Sequence, residues 1–308
     1  MSGPAEGHPG FERLLAKAKP LPPVRMAVAA PEDANSLSGA MLAARQGLIE
    51  PVLVGDEAAI RAAANGIGEE IRHEIVHVEG HREAAARAVE LIHEGRADAL
   101  MKGALHTDEL LGAVVRRETG LRVGRRISHV FVQDVPGHDR LLLVTDAAIN
   151  IAPDLEEKAD ILQNAIDLAR SLGIETPRAA ILSATEKPNP RIPASTEAGA
   201  LMQMAEDGRI TGGHVRGPLA MDLAVSPAAA RTKGVGGEVP GRADILLVPE
   251  IQAGNILFKA LTYLAGAMTG GVVLGARCPI VLTSRSDDDA ARLASCVVAV
   301  LHASSARA

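Results

Sequence analysis

Aromatic residues are nearly absent from this sequence. Its 308 residues include no Trp, one Tyr and three Phe. Proteins that bind single-stranded nucleic acid stack the bases on aromatic side chains, so this scarcity excludes that class of function. The core must instead be built from Ala, Val, Leu and Ile. A hydrophobic content of 47% and a charged content of 23% are ordinary for a globular protein of that kind.

Cysteine, long apolar runs and clusters of basic residues are lacking as well. The two cysteines, Cys278 and Cys296, cannot form a disulfide framework, which favours a reducing compartment. No apolar run reaches the length of a membrane span, and the first residues lack the basic and apolar regions of a secretory signal. The formal net charge is −6, with no basic block for nucleic acid. We therefore expect a cytoplasmic protein that binds neither membrane nor nucleic acid.

Motifs for nucleotides and metals are incomplete. The sequence contains neither a phosphate-binding P-loop motif nor a dinucleotide-binding glycine motif. His73 and His77 match a zinc-binding H-E-x-x-H pattern, but that pattern needs a helix, and the residues from Ile75 to Gly80 predict a strand. The acidic run 287–289 is assigned to the first turn of the last helix, where the helix dipole stabilises acids. No metal site is predicted.

What the sequence does contain is an alternation of strand-like and helix-like segments. Short runs rich in β-branched residues alternate with segments of helical periodicity, which predicts an α/β protein with mostly parallel sheets. Residues 1–23 predict a loose arm with one helical turn, and residues 217–222 a loop. The predicted strands are 24–30, 51–54, 75–78, 99–101, 127–134, 141–145, 179–183, 210–213, 245–248, 272–274 and 280–282. The predicted helices are 33–45, 56–65, 82–93, 107–116, 153–171, 195–206, 226–231, 251–268 and 287–301.

One predicted hairpin interrupts this alternation and suggests the domain organisation. The strands 127–134 and 141–145 are joined by the turn-like sequence Val-Pro-Gly-His-Asp. We place the domain boundary just after the hairpin. The first domain is then 1–147 plus 286–308 and the second 148–285, with the functional site in the cleft between them, a common location for ligands.

Two strand-to-helix junctions carry polar groups suited to an anion, and a third lies where open α/β sheets bind ligands. Residues 252–255 lie near the start of one helix, and Thr283-Ser284-Arg285 lies between the last strand and the last helix. The positive end of a helix dipole favours anions, and Arg285 adds a planar donor for phosphate. Lys102 and Thr107 follow a strand at the edge where open α/β sheets bind ligands. An alternative is a simple turn in which Thr107 caps the next helix.

Six segments, taken together in their order along the chain, resemble one family. They are 101–103 (MKG), 145–150 (TDAAIN), 217–222 (GPLAMD), 241–244 (GRAD), 249–255 (PEIQAGN) and 280–285 (IVLTSR). The chain resembles the phosphate acetyltransferase/phosphate butyryltransferase family over roughly residues 90–305. The amino-acid sequences of these segments resemble the butyryl branch and the short acetyltransferase relatives more than the long acetyl enzymes.

The resemblance implies both fold and function. It implies two α/β domains of isocitrate/isopropylmalate dehydrogenase-like architecture, an active site in the cleft, and a homodimer. It also implies the reversible conversion of a short-chain acyl-CoA and inorganic phosphate into acyl phosphate and CoA, by direct transfer in a ternary complex. These small molecules are the expected partners. No metal or cofactor is expected, with CoA serving as substrate.

The resemblance and the local chemistry together indicate candidate site residues. Ser284 and Arg285 are the catalytic candidates for binding phosphate and the developing charge, with Asp287 as a candidate base. The substrate-binding candidates are Ser128, Asn150, Asn255, Gly254, Lys102, Thr107 and Arg126. Acetyl enzymes of the family have an acid several residues into the last helix, whereas this chain has Ala-Ala-Arg at 290–292. Cys278 is interpreted as a small buried hydrophobic residue and not as a nucleophile.

The sequence is also compatible with two alternative functions. One is a metal- and NAD(P)-dependent decarboxylating dehydrogenase of similar architecture, which needs several convergent carboxylates. The other is a protein that binds CoA but has lost catalysis, which the missing acid in the last helix favours.

Overall fold

A computed structural model describes residues 7–282 and 288–305. The chain divides into two compact units. The first runs up to Arg125 and resumes at Met268, and the second spans Arg126–Ala267. Both units contain parallel strands connected through helices, so the predicted α/β class with mostly parallel sheets is confirmed. Among the described residues, no helix is long and apolar enough to cross a membrane.

The first unit is built on strands whose order in the sheet is β3-β2-β1-β4-β11-β10. All neighbouring pairs in it are parallel except β10 with β11. The last helix of the chain packs against the first two helices and against β10. Its elements are α1 (Pro9–Ala18), β1 (Val24–Ala29), α2 (Ala34–Arg45), β2 (Ile49–Gly55), α3 (Glu57–Gly66), β3 (Ile75–His77), α4 (His81–His93), β4 (Ala99–Lys102), α5 (Thr107–Val114), β10 (Met268–Leu274), β11 (Ile280–Val281) and α11 (Asp289–Ser305).

The second unit has the strand order β5-β6-β9-β7-β8. The predicted hairpin is confirmed, because β5 and β6 pair antiparallel, while the remaining pairs are parallel. Its elements are β5 (Ser128–Asp134), β6 (Leu141–Thr145), α6 (Leu155–Ser171), β7 (Arg178–Leu182), α7 (Pro193–Glu206), β8 (His214–Leu219), α8 (Met221–Val225), α9 (Pro227–Thr232), β9 (Ile245–Leu247) and α10 (Ile251–Ala265).

The hairpin belongs to the second unit because β6 continues the sheet through its parallel partner β9. The units thus divide the chain at other positions than the boundaries drawn from the sequence at 147 and 285. The assignment of domains 1–147 plus 286–308 and 148–285 stays a prediction.

Several helices begin close to their predicted starts, and side chains cap them. The carboxylate of Asp33 accepts the backbone N–H of Ser36 at 2.7 Å, as expected for the N-cap of α2. Asp154 caps α6 by accepting the N–H of Glu157 at 2.9 Å, and Glu157 accepts the N–H of Asp154 at 3.0 Å. Helix α10 ends at Ala265 and not at 268, because Gly266 adopts a left-handed conformation that terminates it.

The prediction of a loose N-terminal arm is wrong from Pro9 onward. Residues 9–18 form the ten-residue helix α1, with Pro9 at a helix start, where proline is tolerated. Phe11 and Leu14 are buried. Tertiary packing of this apolar face against α11 therefore overrides the glycine and proline signals in the segment.

The prediction of a strand at 210–213 followed by a loop at 217–222 is also wrong. The strand is β8, which begins at His214 and ends at Leu219, and α8 follows at Met221. Pro218 lacks an N–H for sheet pairing, but β8 stands at the end of the strand order in its unit. Proline is accepted in edge strands, and the Gly-Pro pair therefore does not stop this one.

The H-E-x-x-H pattern is not helical, as predicted. Residues Ile75–His77 form β3, which pairs in parallel with β2. Nδ1 of His77 accepts the backbone N–H of Glu57 at 3.1 Å, so this ring is engaged in the local structure. The pattern has no zinc-binding geometry.

Candidate active site

The segment that follows β6 is organised around the carboxylate of Asp146. This side chain is 3% exposed. Its Oδ1 accepts the backbone N–H groups of Ala148 and Ile149 at 2.9 and 3.0 Å. Its Oδ2 accepts the N–H of His129 at 3.2 Å, which ties the segment to β5. A buried carboxylate needs such donors, and here they fix the backbone from Asp146 to Asn150.

Asn150 connects this carboxylate to Arg126. Its Nδ2 donates to Oδ2 of Asp146 at 2.6 Å and to the carbonyl oxygen of Ile127 at 2.9 Å. Its Oδ1 accepts from Nε of Arg126 at 2.6 Å. Because both ends of the amide are engaged, its orientation is determined by its partners.

The guanidinium of Arg126 is held on one side and open on the other. Its Nη1 lies 2.8 Å from Oε1 of Glu157 on α6, and its backbone N–H donates to Asp160 at 2.8 Å. The side chain is nevertheless 47% exposed. A planar cation that is fixed in place and reaches solvent is suited to bind a phosphate group.

Ser128 lies behind this group and is fully buried. Its Oγ accepts from Nδ2 of Asn164 at 2.9 Å, and the same nitrogen donates to the carbonyl oxygen of Arg126 at 2.9 Å. Asn164 stands in the buried face of α6 among apolar residues. Ser128 and Asn164 therefore fix the start of β5 and the backbone of Arg126 just before it.

Gly254 and Asn255 pack beside the same segment. A Cβ at Gly254 would lie 2.8 Å from Cβ of Ala147 and 2.8 Å from the carbonyl oxygen of Asp146, so only glycine lets α10 approach this closely. Nδ2 of Asn255 donates to the carbonyl oxygen of Ala147 at 3.3 Å. Glu250 caps α10 by accepting the N–H groups of Gln252 and Ala253, which lowers the pKa of its carboxyl.

His129 occupies the opposite face of β5 from Ser128. Its ring lies 4.2 Å from that of Phe131, which stacks on Phe258 of α10 at 3.9 Å. Burial lowers the pKa of His129 to about 4, against the opposing effect of Asp146. Its Nδ1 has no hydrogen-bond partner within the described part of the chain. The imidazole is thus neutral at physiological pH and packs as an aromatic residue.

Lys102 and Thr107, the candidates of the first unit, lie around the end of β4. Nζ of Lys102 donates to the carbonyl oxygens of Gly103 and Leu105 at 3.0 and 3.3 Å, and the side chain is buried. The backbone at Gly103 approaches Ala30 so closely that a Cβ would lie 2.2 Å from its carbonyl oxygen. Thr107 is exposed and is the first helical residue of α5, and His106 holds the N-cap position, so the alternative in which Thr107 caps this helix does not hold.

Ser284, Arg285 and Asp287 lie outside the described residues, as does the rest of the junction 283–287. On its C-terminal side, Asp288 accepts the N–H of Ala291 at 2.8 Å and so caps α11. This supports the assignment of the acidic run to a helix start, as far as Asp288 and Asp289 are concerned. The Ala-Ala-Arg sequence at 290–292 lies within α11.

The Gly-Arg-Ala-Asp segment has a structural role at the beginning of β9. Asp244 is 3% exposed and accepts the backbone N–H of Arg178 at 2.9 Å. The guanidinium groups of Arg178 and Arg140 lie 3.5 and 3.9 Å from its carboxylate. Burial raises the pKa of Asp244 although these cations oppose the effect. The segment links β9 to β7 at the amino ends of the strands.

Both cysteines are buried, and burial raises the pKa of each thiol to about 12. A thiol of this kind stays protonated and is a poor nucleophile. Over residues 7–282 and 288–305, no three His, Cys, Asp or Glu side chains converge in a way that could hold a metal ion.

The structure thus brings Arg126, Ser128, Asn150, Gly254 and Asn255 together in the second unit, while Lys102 and Thr107 belong to the first. The sequence prediction missed Asp146 and Asn164. Asp146 directly follows the predicted strand 141–145 and lies inside the segment 145–150, and Asn164 is an amide in an apolar helix face. Both were detectable as polar residues in otherwise buried positions.

Comparisons with known proteins agree along nearly the whole chain. Residues 75–300 match the family model described as phosphate acetyl/butaryl transferase. The chain is 55% identical over 299 residues to the phosphate acetyltransferase of Rhizobium meliloti, covering 97% of this chain and 95% of that protein. It is 41% identical over 292 residues to the phosphate butyryltransferase of Clostridium acetobutylicum, covering 94% and 97%. The crystal structure of a branched-chain phosphotransacylase from Enterococcus faecalis V583 superposes with a TM-score of 0.78 at 30% identity, covering 91% of this chain and 99% of that one.

Proposed function

The chain belongs to the phosphate acetyltransferase/phosphate butyryltransferase family, and we propose that it converts a short-chain acyl-CoA and inorganic phosphate reversibly into acyl phosphate and CoA. The observation that carries this proposal is the 55% identity over 97% of the chain to an enzyme named for this reaction. The chain is similar to both acetyl- and butyryltransferases, so the preferred acyl chain must be determined by experiment. One methylene changes the binding free energy in an apolar pocket by only about 1–3 kcal/mol.

The chemistry is a direct transfer within a ternary complex. A phosphate oxygen attacks the thioester carbonyl carbon and forms a C–O bond. The tetrahedral intermediate then collapses, the C–S bond breaks, and its electron pair leaves on sulfur. The thiolate takes up the proton that phosphate loses. Because a free thiol has a pKa of about 8.5, a cation or an acid near the sulfur must favour its departure.

Arg126 fits the binding of a phosphate group in this scheme. Its Nε is occupied by Asn150 and its Nη1 lies beside Glu157, so the guanidinium is oriented before the substrate arrives. Preorganised donors are worth about 3–4 kcal/mol each in acyl transfer when they face the developing oxyanion. Asn255 is a candidate donor of this kind, while Ser128 acts through Asn164 by fixing the start of β5.

Ser284 and Arg285 complete the proposal as the catalytic pair, with Asp287 as the candidate base. Lys102, Thr107 and Gly254 remain proposed substrate-binding residues. CoA enters as a substrate, and the proposed reaction proceeds without a redox or metal cofactor. Thioester and phosphate supply every atom that is transferred.

A homodimer is also proposed, with α10 as the candidate contact surface. Ile256, Tyr263 and Leu264 are 69%, 71% and 87% exposed on this helix. Their spacing places them on one side of the helix, and exposed apolar groups of this size commonly mark an interface. A second copy related by a twofold axis can bury the same helix in both chains. Sedimentation of the protein and of Leu264→Glu tests this, and a monomer in both cases would contradict it.

The test of function is release of free CoA thiol from acetyl-, propionyl-, butyryl- and hexanoyl-CoA, with and without inorganic phosphate. Release that requires phosphate is expected, and the ranking of rates identifies the acyl chain. Arg285→Ala is expected to abolish it, with Arg96→Ala as a control on an exposed arginine that pairs with Glu94 and Glu74. Tight binding of CoA without release of the CoA thiol from any of the four acyl-CoA substrates would favour a CoA-binding protein that has lost catalysis.

A further inference from the structure

Arg292, in the first turn of α11, is a buried cation whose pairing within the described part of the chain is incomplete. The residue is 5% exposed. Its Nη1 lies 3.4 Å from Oδ1 of Asp289, a side chain that is itself 61% exposed. Its Nε has no hydrogen-bond partner among residues 7–282 and 288–305. Arginine does not lose its proton in proteins, and a buried charge is costly unless it is well paired. The environment of Arg292 is therefore suited to an additional anion.

The side chain is accommodated by a glycine on the neighbouring helix. A Cβ at Gly39 of α2 would lie 2.7 Å from Cδ of Arg292 and 3.4 Å from its Cβ. Glycine inside a helix weakens that helix, so its presence at this contact serves close approach rather than helix stability. The arginine stem is thus held between α2 and α11 and is not free at the surface.

The strand order brings the start of α11, which carries Arg292, to the edge where α/β sheets usually bind ligands. Strands β1, β4 and β11 are neighbours and parallel, α2 follows β1, and α11 follows β11. The carboxyl ends of such strands form the usual ligand edge of an α/β sheet. Lys102 ends β4 at this edge and is a second buried cation there. The start of α11 adds the positive end of a helix dipole.

We infer that Arg292 binds a phosphate group of a substrate. This rests on the proposed function, which supplies two sources of the same chemistry: inorganic phosphate, and the phosphate groups of CoA. The planar guanidinium has two edges for phosphate oxygens. The exposed carboxylate of Asp289 is the partner that the phosphate replaces.

Calorimetric titration of the full-length protein tests this directly. Inorganic phosphate, CoA and 3′-dephospho-CoA are titrated into the wild type, Arg292→Gln, Arg292→Lys and the control Arg96→Gln. Arg292→Gln is expected to weaken one ligand at least tenfold, and Arg292→Lys less, because the charge remains but the two-edged donor is lost. If only the affinity for inorganic phosphate falls, inorganic phosphate is the ligand that Arg292 binds. Loss for CoA but not for 3′-dephospho-CoA identifies the 3′-phosphate, and equal loss for both identifies the diphosphate.

Gly39→Ala provides a second variant that keeps the charge. Its Cβ displaces the arginine stem, so the affinity for the same ligand is expected to fall several-fold. In an Arg292→Ala background the added methyl has no long side chain to displace, and Gly39→Ala is expected to cause no further loss. Equal losses in both backgrounds would show that the two helices, and not the guanidinium, are responsible.

The outcomes separate this inference from the proposed function. Unchanged affinity for all three ligands in Arg292→Gln, within twofold and with its fold intact by circular dichroism, overturns the inference. In that case phosphate-dependent release of CoA by the wild type still upholds the proposed function. If the wild type releases no CoA but Arg292→Gln loses affinity for a phosphate ligand, the inference holds and the proposed function fails.

Discussion

The Nε–H of Arg126 donates a 2.6 Å hydrogen bond to Oδ1 of Asn150. The same amide donates to the buried carboxylate of Asp146. A half-exposed cation is thereby connected through one amide to a carboxylate that organises the segment after β6. These hydrogen bonds connect the core of the second unit to the solvent-exposed guanidinium of Arg126.

Replacing Asn150 tests this connection. Asn150→Ala removes the acceptor for Arg126 and a donor for Asp146, and a hydrogen bond to a charged group contributes about 1.5–3 kcal/mol. We expect kcat/KM to fall by about 10–150-fold if that contribution is made in the transition state. Gln203→Ala is the matched control. Within the described chain, the side-chain amide of Gln203 donates one hydrogen bond, to the carboxylate of the exposed Asp207. Equal activity in both variants would contradict a role for Asn150.

Much of the fold was predictable because its signals are local. Buried parallel strands are continuous apolar runs, and helices carry caps such as Asp33 and Asp154 at their starts. The errors occur where tertiary contacts decide. Helix α1 depends on burying Phe11 against the rest of its unit, and β8 tolerates Pro218 because of its edge position, neither of which follows from a short stretch of sequence.

The candidate site was predictable to a different extent. Asn150, Ser128 and Arg126 were nominated, the first from a segment that carries the family resemblance. The role of Asp146 in organising the segment after β6 was missed because it depends on how β5 and β6 pair. The antiparallel register of Val130 with Thr145 brings the N–H of His129 to its carboxylate. Residues that act through strand register or through a buried helix face need the three-dimensional structure to be recognised.

Gly254→Ala is expected to disturb both stability and activity. The new Cβ would meet Cβ of Ala147, the carbonyl oxygen of Asp146 and Cγ2 of Val248, each at 2.8 Å. Because backbone cannot move aside as a flexible side chain can, we expect a loss of about 1–3 kcal/mol of unfolding free energy. Urea unfolding measures it, and kcat/KM is expected to fall because the segment from Asp146 to Asn150 shifts.

Gly112→Ala is the control for that substitution. Gly112 also lies in a helix, α5, but a Cβ there would have no atom of another element within 4 Å in the described part of the chain. Alanine is favoured over glycine in a helix interior by about 1 kcal/mol, so this variant is expected to be as stable as the wild type or more so. A destabilised Gly112→Ala would show that the helix propensity argument does not apply here.

Cys278→Ala is expected to retain activity. The thiol is buried and its pKa is raised to about 12, so at neutral pH it is protonated and out of reach of a substrate. A direct transfer between CoA and phosphate needs no enzyme thiol. Thiol release from acyl-CoA measures the outcome, with Cys296→Ala as a second buried cysteine for comparison. Loss of activity in a folded Cys278→Ala alone would favour a covalent acyl-enzyme and contradict direct transfer.

His129 is expected to make the protein sensitive to acid. Its pKa is about 4 in the folded state against 6.5 for an ordinary histidine, so the unfolded chain binds the proton more readily. Stability contributed by the neutral ring is then fully present above pH 6.5 and falls as the pH drops toward 4. A difference of this size corresponds to roughly 3 kcal/mol. Urea unfolding at several pH values between 7 and 4 measures the slope.

The matched variants are His129→Phe and His214→Asn. His129→Phe keeps a flat ring beside Phe131 but has no proton to bind, so its stability is expected to fall less steeply with acid than that of the wild type. His214 is exposed, and its replacement is expected to leave the slope unchanged. Other carboxylates titrate in the same range, and they contribute equally to all three proteins. The difference between the His129→Phe and wild-type slopes therefore reports the burial of this one imidazole, and parallel slopes would mean that His129 is already accessible to protons in the folded state.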